Sequence, residues 1–398
     1  MKRPPASLLF VFALLAVALP SLTGATPPPY GDHVKPRGSL ANSRVQFGLH
    51  KKGHVAFMGG SITEMNGYRP MVCEILKKRF PDTAFQFTDA GISSTCSTTG
   101  AFRLGADVLA AGPVDLFFVE FAVNDDQDAA HTRAECIRGL EGIVRQMRRS
   151  NPKVDIVVTF FVNETMLKTL ETGATPLTIE AHETVARHYE LPTINLAWEV
   201  SRQITAGSLT WEQYGGVHPA PHGNAICAGM IDELFNRAWR EESLGEPAAH
   251  PSPAKPLDPF SYENGRFIDP RQAQRGEGWT FAIPDWDRLP GSKRSRFTSL
   301  ALLCAETPGA EMTLQFEGST VGAYLLAGPD AGMVEASVDG APFQKVDLLH
   351  RYSSGLHYPR TVLFGTELPK GHHTLKLRLS AESNRAGHAM RVMQFVVN

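Results

Sequence analysis

The stretch His54-Val55-Ala56-Phe57-Met58-Gly59-Gly60-Ser61-Ile62-Thr63 decides the fold. Its apolar half reads as a short strand, and the two glycines end that strand where the chain must turn sharply. Outward from it, as far as residue 240, short β-rich apolar runs alternate with longer amphipathic stretches, the pattern of an α/β sheet. Met71 to Phe80 predicts a helix stopped by Pro81, and Phe85 to Thr88 a second short strand. Asp115 to Phe121 reads as a continuous apolar strand. Thr132 to Arg149 carries Ile137, Leu140, Ile143, Val144 and Met147 at helical spacing. A strand over Val154 to Val162, a helix from about Pro176 to Tyr189, a strand over Thr193 to Leu196 and a helix over Asn224 to Trp239 complete the unit. Strands apolar on both faces fit a parallel sheet with helices on each side.

The pattern changes after residue 240. Residues 241–259 hold five prolines and little to bury, so they are expected to be an inter-domain linker. Beyond it come short alternating runs: Met312 to Phe316, Val321 to Leu326, Val334 to Val338, Thr361 to Phe364, Thr374 to Leu379 and Met390 to Val397. Turn signals such as Asp339-Gly340 and Lys370-Gly371 separate them, which predicts an antiparallel β-sandwich over 260–398.

At the N-terminus, Lys2 and Arg3 precede the unbroken apolar run Leu8 to Leu19 and the small residues Thr23-Gly24-Ala25. Residues 1–25 read as a cleaved signal peptide, followed by a Pro-rich leader over 26–53, and the run is too short for the roughly 30 Å of a bilayer core. The expectation is a secreted or periplasmic protein without stable membrane insertion. The 398 residues carry 39 Lys and Arg against 41 Asp and Glu, so no overall basic field exists to hold nucleic acid. Cys73, Cys96, Cys136, Cys227 and Cys304 lack the paired CxxC spacing of a zinc site. An odd set leaves at least one thiol outside any intramolecular disulfide; Cys73 with Cys96 is one conceivable pair.

No G-x-S-x-G elbow occurs, but Gly59-Gly60-Ser61-Ile62-Thr63 can lift a serine hydroxyl above the sheet edge. No Lys follows the glycines, which excludes a phosphate-cradling loop. Gly91, in Asp89-Ala90-Gly91-Ile92-Ser93, follows the second strand, and Asn124, in Ala122-Val123-Asn124-Asp125, follows the next. Both sit at C-terminal strand ends, the ligand-binding edge of an open parallel sheet. Gly216-Val217-His218-Pro219, just before the last helix, brings an imidazole to the same edge.

Ser, Gly, Asn and His in this order resemble the SGNH hydrolase (GDSL-type esterase) superfamily over about 54–240. The resemblance implies a flavodoxin-like three-layer α/β/α fold, no cofactor, no metal, and acyl ester substrates. It implies Ser61 as nucleophile and His218 as base, with an oxyanion hole from the N–H groups of Ser61 and Gly91 and the side chain of Asn124. Residues 260–398 look like the jelly-roll or galactose-binding-like sandwiches that accompany exported carbohydrate-active enzymes. Together these suggest a serine esterase that removes acyl groups, acetyl above all, from a polysaccharide or oligosaccharide. Transfer of the acyl group to another acceptor would use the same serine.

Three positions depart from the family's pattern. Gly60 replaces a common Asp, Ala122 a common Gly, and Gly215 the Asp usually found three residues before the histidine. The last leaves His218 to be oriented either by Glu212 or by a backbone carbonyl, and it motivates the rival reading of a catalytically inactive, glycan-binding or scaffolding SGNH domain. Pro219 and Pro221 preclude a helix presenting His218 and His222 to a metal. Asp125, Asp126 and Asp128 lack the glycine and distal Glu of a calcium loop and read as a solvated loop, with Asp125 available to orient it. His372-His373 reads as surface. Trp198, Trp211 and Trp239 read as packing residues, with Trp211 close enough in sequence to His218 to line the site. The loops 328–332 and 352–357 are turns of the sandwich, or else they bind glycan or lean over the cleft.

Overall fold

A computed structural model describes Met1 and residues 29–240, 245–383 and 387–398. Beyond Met1, the expected signal peptide lies outside the described residues.

Six strands form the first sheet: β1 (Val34–Lys35), β2 (Lys52–Gly59), β3 (Ala84–Gly91), β4 (Leu116–Val119), β5 (Asp155–Thr159) and β6 (Thr193–Ile194). Their spatial order is β1-β6-β5-β4-β2-β3. All pairs are parallel except β1 with β6 at one edge. The parallel strands alone follow the flavodoxin-like order, so the winding direction reverses between β2 and β4. The strands β4 and β5 are buried throughout, as helices on both faces require. Phe57 of β2 stacks on Phe118 of β4 with ring centroids 4.9 Å apart, tying together the two strands that flank the reversal.

The helix Arg133–Ser150 starts where its apolar spacing places it, with Thr132 and Glu135 forming a reciprocal cap. The last helix, Pro221–Ala238, begins earlier than the apolar spacing suggests, because a proline in the first turn is already set for helix. Two helices carry no strong sequence signal: Ala41–Gly48 within the leader and Ser97–Asp107 in a Ser/Thr/Gly-rich run. In the second, Gly100 lets the helix lie against the Phe121 ring and Arg103 is fully buried, so tertiary contacts override weak propensity. The expected strand over Val154 to Val162 is shorter, ending at Thr159.

The Pro-rich stretch is docked along the α/β domain. The main chain of Ala248 bonds both ways with the Asn42 amide, and His250 Nε2 lies 2.8 Å from the buried Asp155. Further on, Leu257 and Asp258 donate their N–H groups to the buried Glu141 carboxylate. Proline removes donors, but the remaining amides and carbonyls find partners on the domain surface.

Two antiparallel sheets make the second domain. One contains β7 (Arg266–Ile268), β9 (Trp279–Ala282), β10 (Leu302–Ala305), β12 (Val321–Ala327), β15 (Tyr358–Gly365) and β17 (Met390–Val397). The other contains β8 (Gln274–Arg275), β11 (Glu311–Gly318), β13 (Met333–Val338), β14 (Gln344–Asp347) and β16 (Gly371–Leu379). The strand β12 is buried at every position because its two faces serve different cores. Ala323 and Leu325 face the sandwich interior with Leu375 and Leu377, whereas Tyr324 and Leu326 join the apolar cluster of the α/β domain. Tyr262, its ring tilted against Phe102 with centroids 5.1 Å apart, belongs to that cluster too. The two domains therefore share buried apolar surface. All five cysteines are free thiols, so the Cys73–Cys96 pair considered above does not form. Among the described residues no helix is long and apolar enough to cross a membrane.

Candidate active site

The topological reversal between β2 and β4 marks the edge, at the C-terminal ends of the strands, where an open α/β sheet binds ligands. Ser61 begins the single helical turn Ser61–Glu64 directly after β2. Beneath that turn lies Glu120, whose Oε1 accepts hydrogen bonds from Gly60 N at 3.0 Å and Thr63 Oγ1 at 2.7 Å. Among the described residues its Oε2 is buried without a partner, and burial pushes the carboxyl up to about 8, which favours the protonated form. A side chain on Gly59 would strike this carboxyl, and one on Gly60 would strike the Asn124 side chain. Any side chain at position 60 would therefore require the Asn124 amide to move.

His218 places Nε2 2.7 Å from Ser61 Oγ. The helical turn Trp211–Tyr214 is capped by Thr210 and Gln213, and its C-terminus passes into Gly215 and Gly216 at φ +105° and +76°. Both glycine amides return to Trp211 O, and this left-handed pair swings the chain so that His218 faces the serine. A Cβ at Gly215 would meet the backbone of Ala220. The shape of the turn, not only the sequence, removes the carboxylate usually found there. Glu212 is exposed and, among the described residues, neither it nor His218 Nδ1 has a hydrogen-bonding partner. Trp211 is half-buried and stacks on Tyr214 at 5.4 Å.

Asn124 lies in the short helix Ala122–Gln127 after β4 and is 2% exposed. Its Nδ2 donates to Asp128 Oδ2 at 2.7 Å. The three aspartates are not a solvated loop, as expected above, but part of or next to this helix. Asp125 is fully buried and accepts from Ser97 N, Ser97 Oγ and His182 Nε2 at 2.8, 2.7 and 2.9 Å. Burial alone would raise its carboxyl, but His131 and His182 outweigh burial and hold it well below the usual range. Asp126 accepts from Asn163 Nδ2 at 2.7 Å.

Gly91 differs from expectation. Its N–H is engaged, donating to Asp89 Oδ1 at 2.9 Å. Along the loop from Gly91 to Thr95, the amides of Ile92, Ser93 and Thr95 are also engaged, with Gly59 O, Glu64 Oε2 and Ile92 O. Among the described residues Ser94 N–H alone in this loop has no partner, and Ser94 holds a left-handed φ of +73° that is unfavourable for a residue with a Cβ.

Two groups of side chains offer ligand atoms suited to a cation: Cys96, Asp125 and His131, and Asp125, Cys136 and His182. Both depend on Asp125, whose oxygens already accept three hydrogen bonds, so the cluster reads as a network pinning the Asn124 helix. His218 and His222 belong to neither group. In the sandwich, His373 is buried and bonded to Asp339, contrary to the surface placement expected.

Sequence reasoning passed over Glu120, Ser94, Arg294 and Tyr358, and read Asp128 only as part of a solvated loop. Glu120 had a readable signal: an acid inside an apolar strand must be paired or neutralised when buried. The others emerge only from tertiary contacts.

Residues 57–226 match the model of the GDSL-like lipase/acylhydrolase family. No curated protein matches the chain. Among solved structures, the chain is similar to a two-domain esterase (CEX) active on acetylated mannans, co-crystallised with mannopentaose, at 22% identity and a TM-score of 0.74, covering 92% of this chain and 96% of that one. A second structure of a two-domain esterase (CEX) active on acetylated mannans aligns at 22% identity and TM-score 0.73, over 92% of this chain and 97% of that one. The likeness extends over both domains, so the pairing of an α/β unit with a sandwich is a shared architecture.

Proposed function

We propose that this chain, whose α/β unit is a GDSL-like lipase/acylhydrolase domain, is an exported serine esterase that removes acetyl groups from carbohydrate. The observation that carries the reading is Ser61 Oγ within 2.7 Å of His218 Nε2 at the strand reversal. Ser61 attacks the ester carbonyl, and His218 takes its proton and returns it to the departing sugar oxygen. Water, deprotonated by the same imidazole, then attacks the acyl-enzyme and releases acetate. The oxyanion of each tetrahedral intermediate sits among three donors: the N–H groups of Ser61 and Ser94 and the second N–H of the Asn124 amide. Ser94 replaces Gly91 in this set because its amide is unengaged.

The mechanism is a dyad. Among the described residues no carboxylate reaches His218 Nδ1, which makes the imidazolium less stabilised than in a triad. Acetylated mannan is the first substrate to test, since a two-domain esterase of the same architecture acts on it. Residues 1–25 act as the export signal. Acetate release from acetylated mannan, acetylated xylan and peracetylated oligosaccharides by wild type and Ser61→Ala tests the reading. The expected result is release from at least one glycan that Ser61→Ala abolishes; equal release by both proteins would refute it.

A further inference from the structure

An asparagine amide is an ambiguous oxyanion donor. Turned by half a rotation about its last torsion, it would present a carbonyl oxygen to the developing negative charge. In this protein Asp128 removes the ambiguity, because its Oδ2 accepts from Asn124 Nδ2 at 2.7 Å. An ionised carboxylate only accepts, so the reversed amide would set two oxygens against each other. One N–H is thereby fixed on Asp128, and the other has no partner among the described residues.

Asp128 is itself held from the second domain. Tyr358 OH, at the start of β15, lies 2.7 Å from Asp128 Oδ1, and His350 Nε2 lies 2.8 Å from Asp128 O. The Tyr358 ring is 2% exposed and the His350 ring stacks on it at 4.2 Å. Burial and the Asp128 charge push the phenol up, so it stays a donor at any working pH. The same hydroxyl lies 3.3 Å from Ser94 O. Arg294, also from the second domain, donates to Ser93 O at 2.8 Å and to Ser94 Oγ at 2.9 Å. In a trans peptide the Ser94 N–H points opposite to the Ser93 carbonyl, so a guanidinium on that carbonyl aims the N–H the other way. The left-handed Ser94 needs such outside contacts to persist.

We propose that Asp128, Tyr358 and Arg294 are positioning residues for the oxyanion donors, so that the β-sandwich completes the active site of the domain it packs against. The inference rests on the serine-esterase reading above. It predicts that these residues act on the chemical step and not on substrate capture, even for a substrate too small to touch the sandwich.

The test uses full-length protein and 4-nitrophenyl acetate. Asp128→Ala is expected to lower kcat about 10- to 100-fold, part of the roughly 10²–10³ lost with a whole donor, with KM within about twofold. Tyr358→Phe, which keeps the ring and removes only the hydroxyl, is expected to lower kcat about fivefold with KM again unchanged. In an Asn124→Ala background, Asp128→Ala should cost less than about twofold more, because it acts through an amide already gone. Full multiplicative loss in that background, a change in KM alone, or wild-type kcat in both single variants would overturn the proposal. Ser61→Ala separates the two levels: retained activity there would refute the esterase reading itself, whereas a dead Ser61→Ala with wild-type Asp128→Ala and Tyr358→Phe would refute only the positioning role.

Discussion

The two sides of the active site are built in opposite ways. His218, the proposed base, is exposed and stands on a double-glycine turn with, among the described residues, one hydrogen-bonded partner, Ser61. The oxyanion side is buried and trussed: Asn124 to Asp128, Asp128 to Tyr358 and His350, and the Ser94 loop to Arg294. A proton-transferring imidazole gains its direction from a short contact and can tolerate exposure. Hydrogen-bond donors to a transient charge must be fixed before that charge appears, since reorganising them during the reaction would add to the barrier. On the proposed mechanism the demand for rigidity falls on the oxyanion side, where the second domain supplies hydrogen bonds to Asp128 and the Ser94 loop.

The largest expected effect on this comparison comes from the exposed side. His218→Ala should abolish turnover, while Glu212→Gln should leave kcat within about twofold, because no contact links Glu212 to the imidazole. Steady-state kinetics on 4-nitrophenyl acetate reads both. A loss approaching the roughly 10⁴ associated with a missing triad carboxylate in Glu212→Gln would install Glu212 as a third member and make the two sides alike.

A smaller effect is expected beneath the nucleophile turn. The Glu120 carboxyl is raised by burial to about 8, against an ordinary value near 4.5. Its contribution to stability is therefore fully present below the unfolded value and is lost as pH rises through the folded one. Glu120→Gln keeps an acceptor for Gly60 N and Thr63 Oγ1 but cannot ionise. Melting temperatures measured from pH 5 to pH 9 should fall for the wild type across that window and fall less for Glu120→Gln. Parallel curves for the two proteins would mean that Glu120 carries its charge in the folded state.

Much of this was legible in the sequence. The Gly59-Gly60-Ser61 turn, Asn124 after its strand and His218 before the last helix all arrive at one sheet edge because parallel strands bring their C-terminal ends together. For Gly91, strand-end position says where a residue lies and not which amide is engaged locally; Asp89, two residues earlier, accepts from this one. Asp125 was misjudged because acids after a strand resemble a solvated loop until Ser97 and His182, distant in sequence, surround them. The Pro-rich stretch looked like a free spacer since its partners, Asn42, Asp155 and Glu141, belong to other elements. The role of Tyr358 could not be read at all, because a tyrosine at the start of a sandwich strand carries no local mark of the aspartate it meets across the domain boundary.

The central claim is that Ser61 is the nucleophile of an ester hydrolase. Labelling the full-length protein with a serine-directed fluorophosphonate and mapping the adduct by peptide mass spectrometry tests it most directly. The label should fall on Ser61 alone, at one per chain, and should vanish in Ser61→Ala; an adduct on another serine, or labelling that persists in Ser61→Ala, would contradict it.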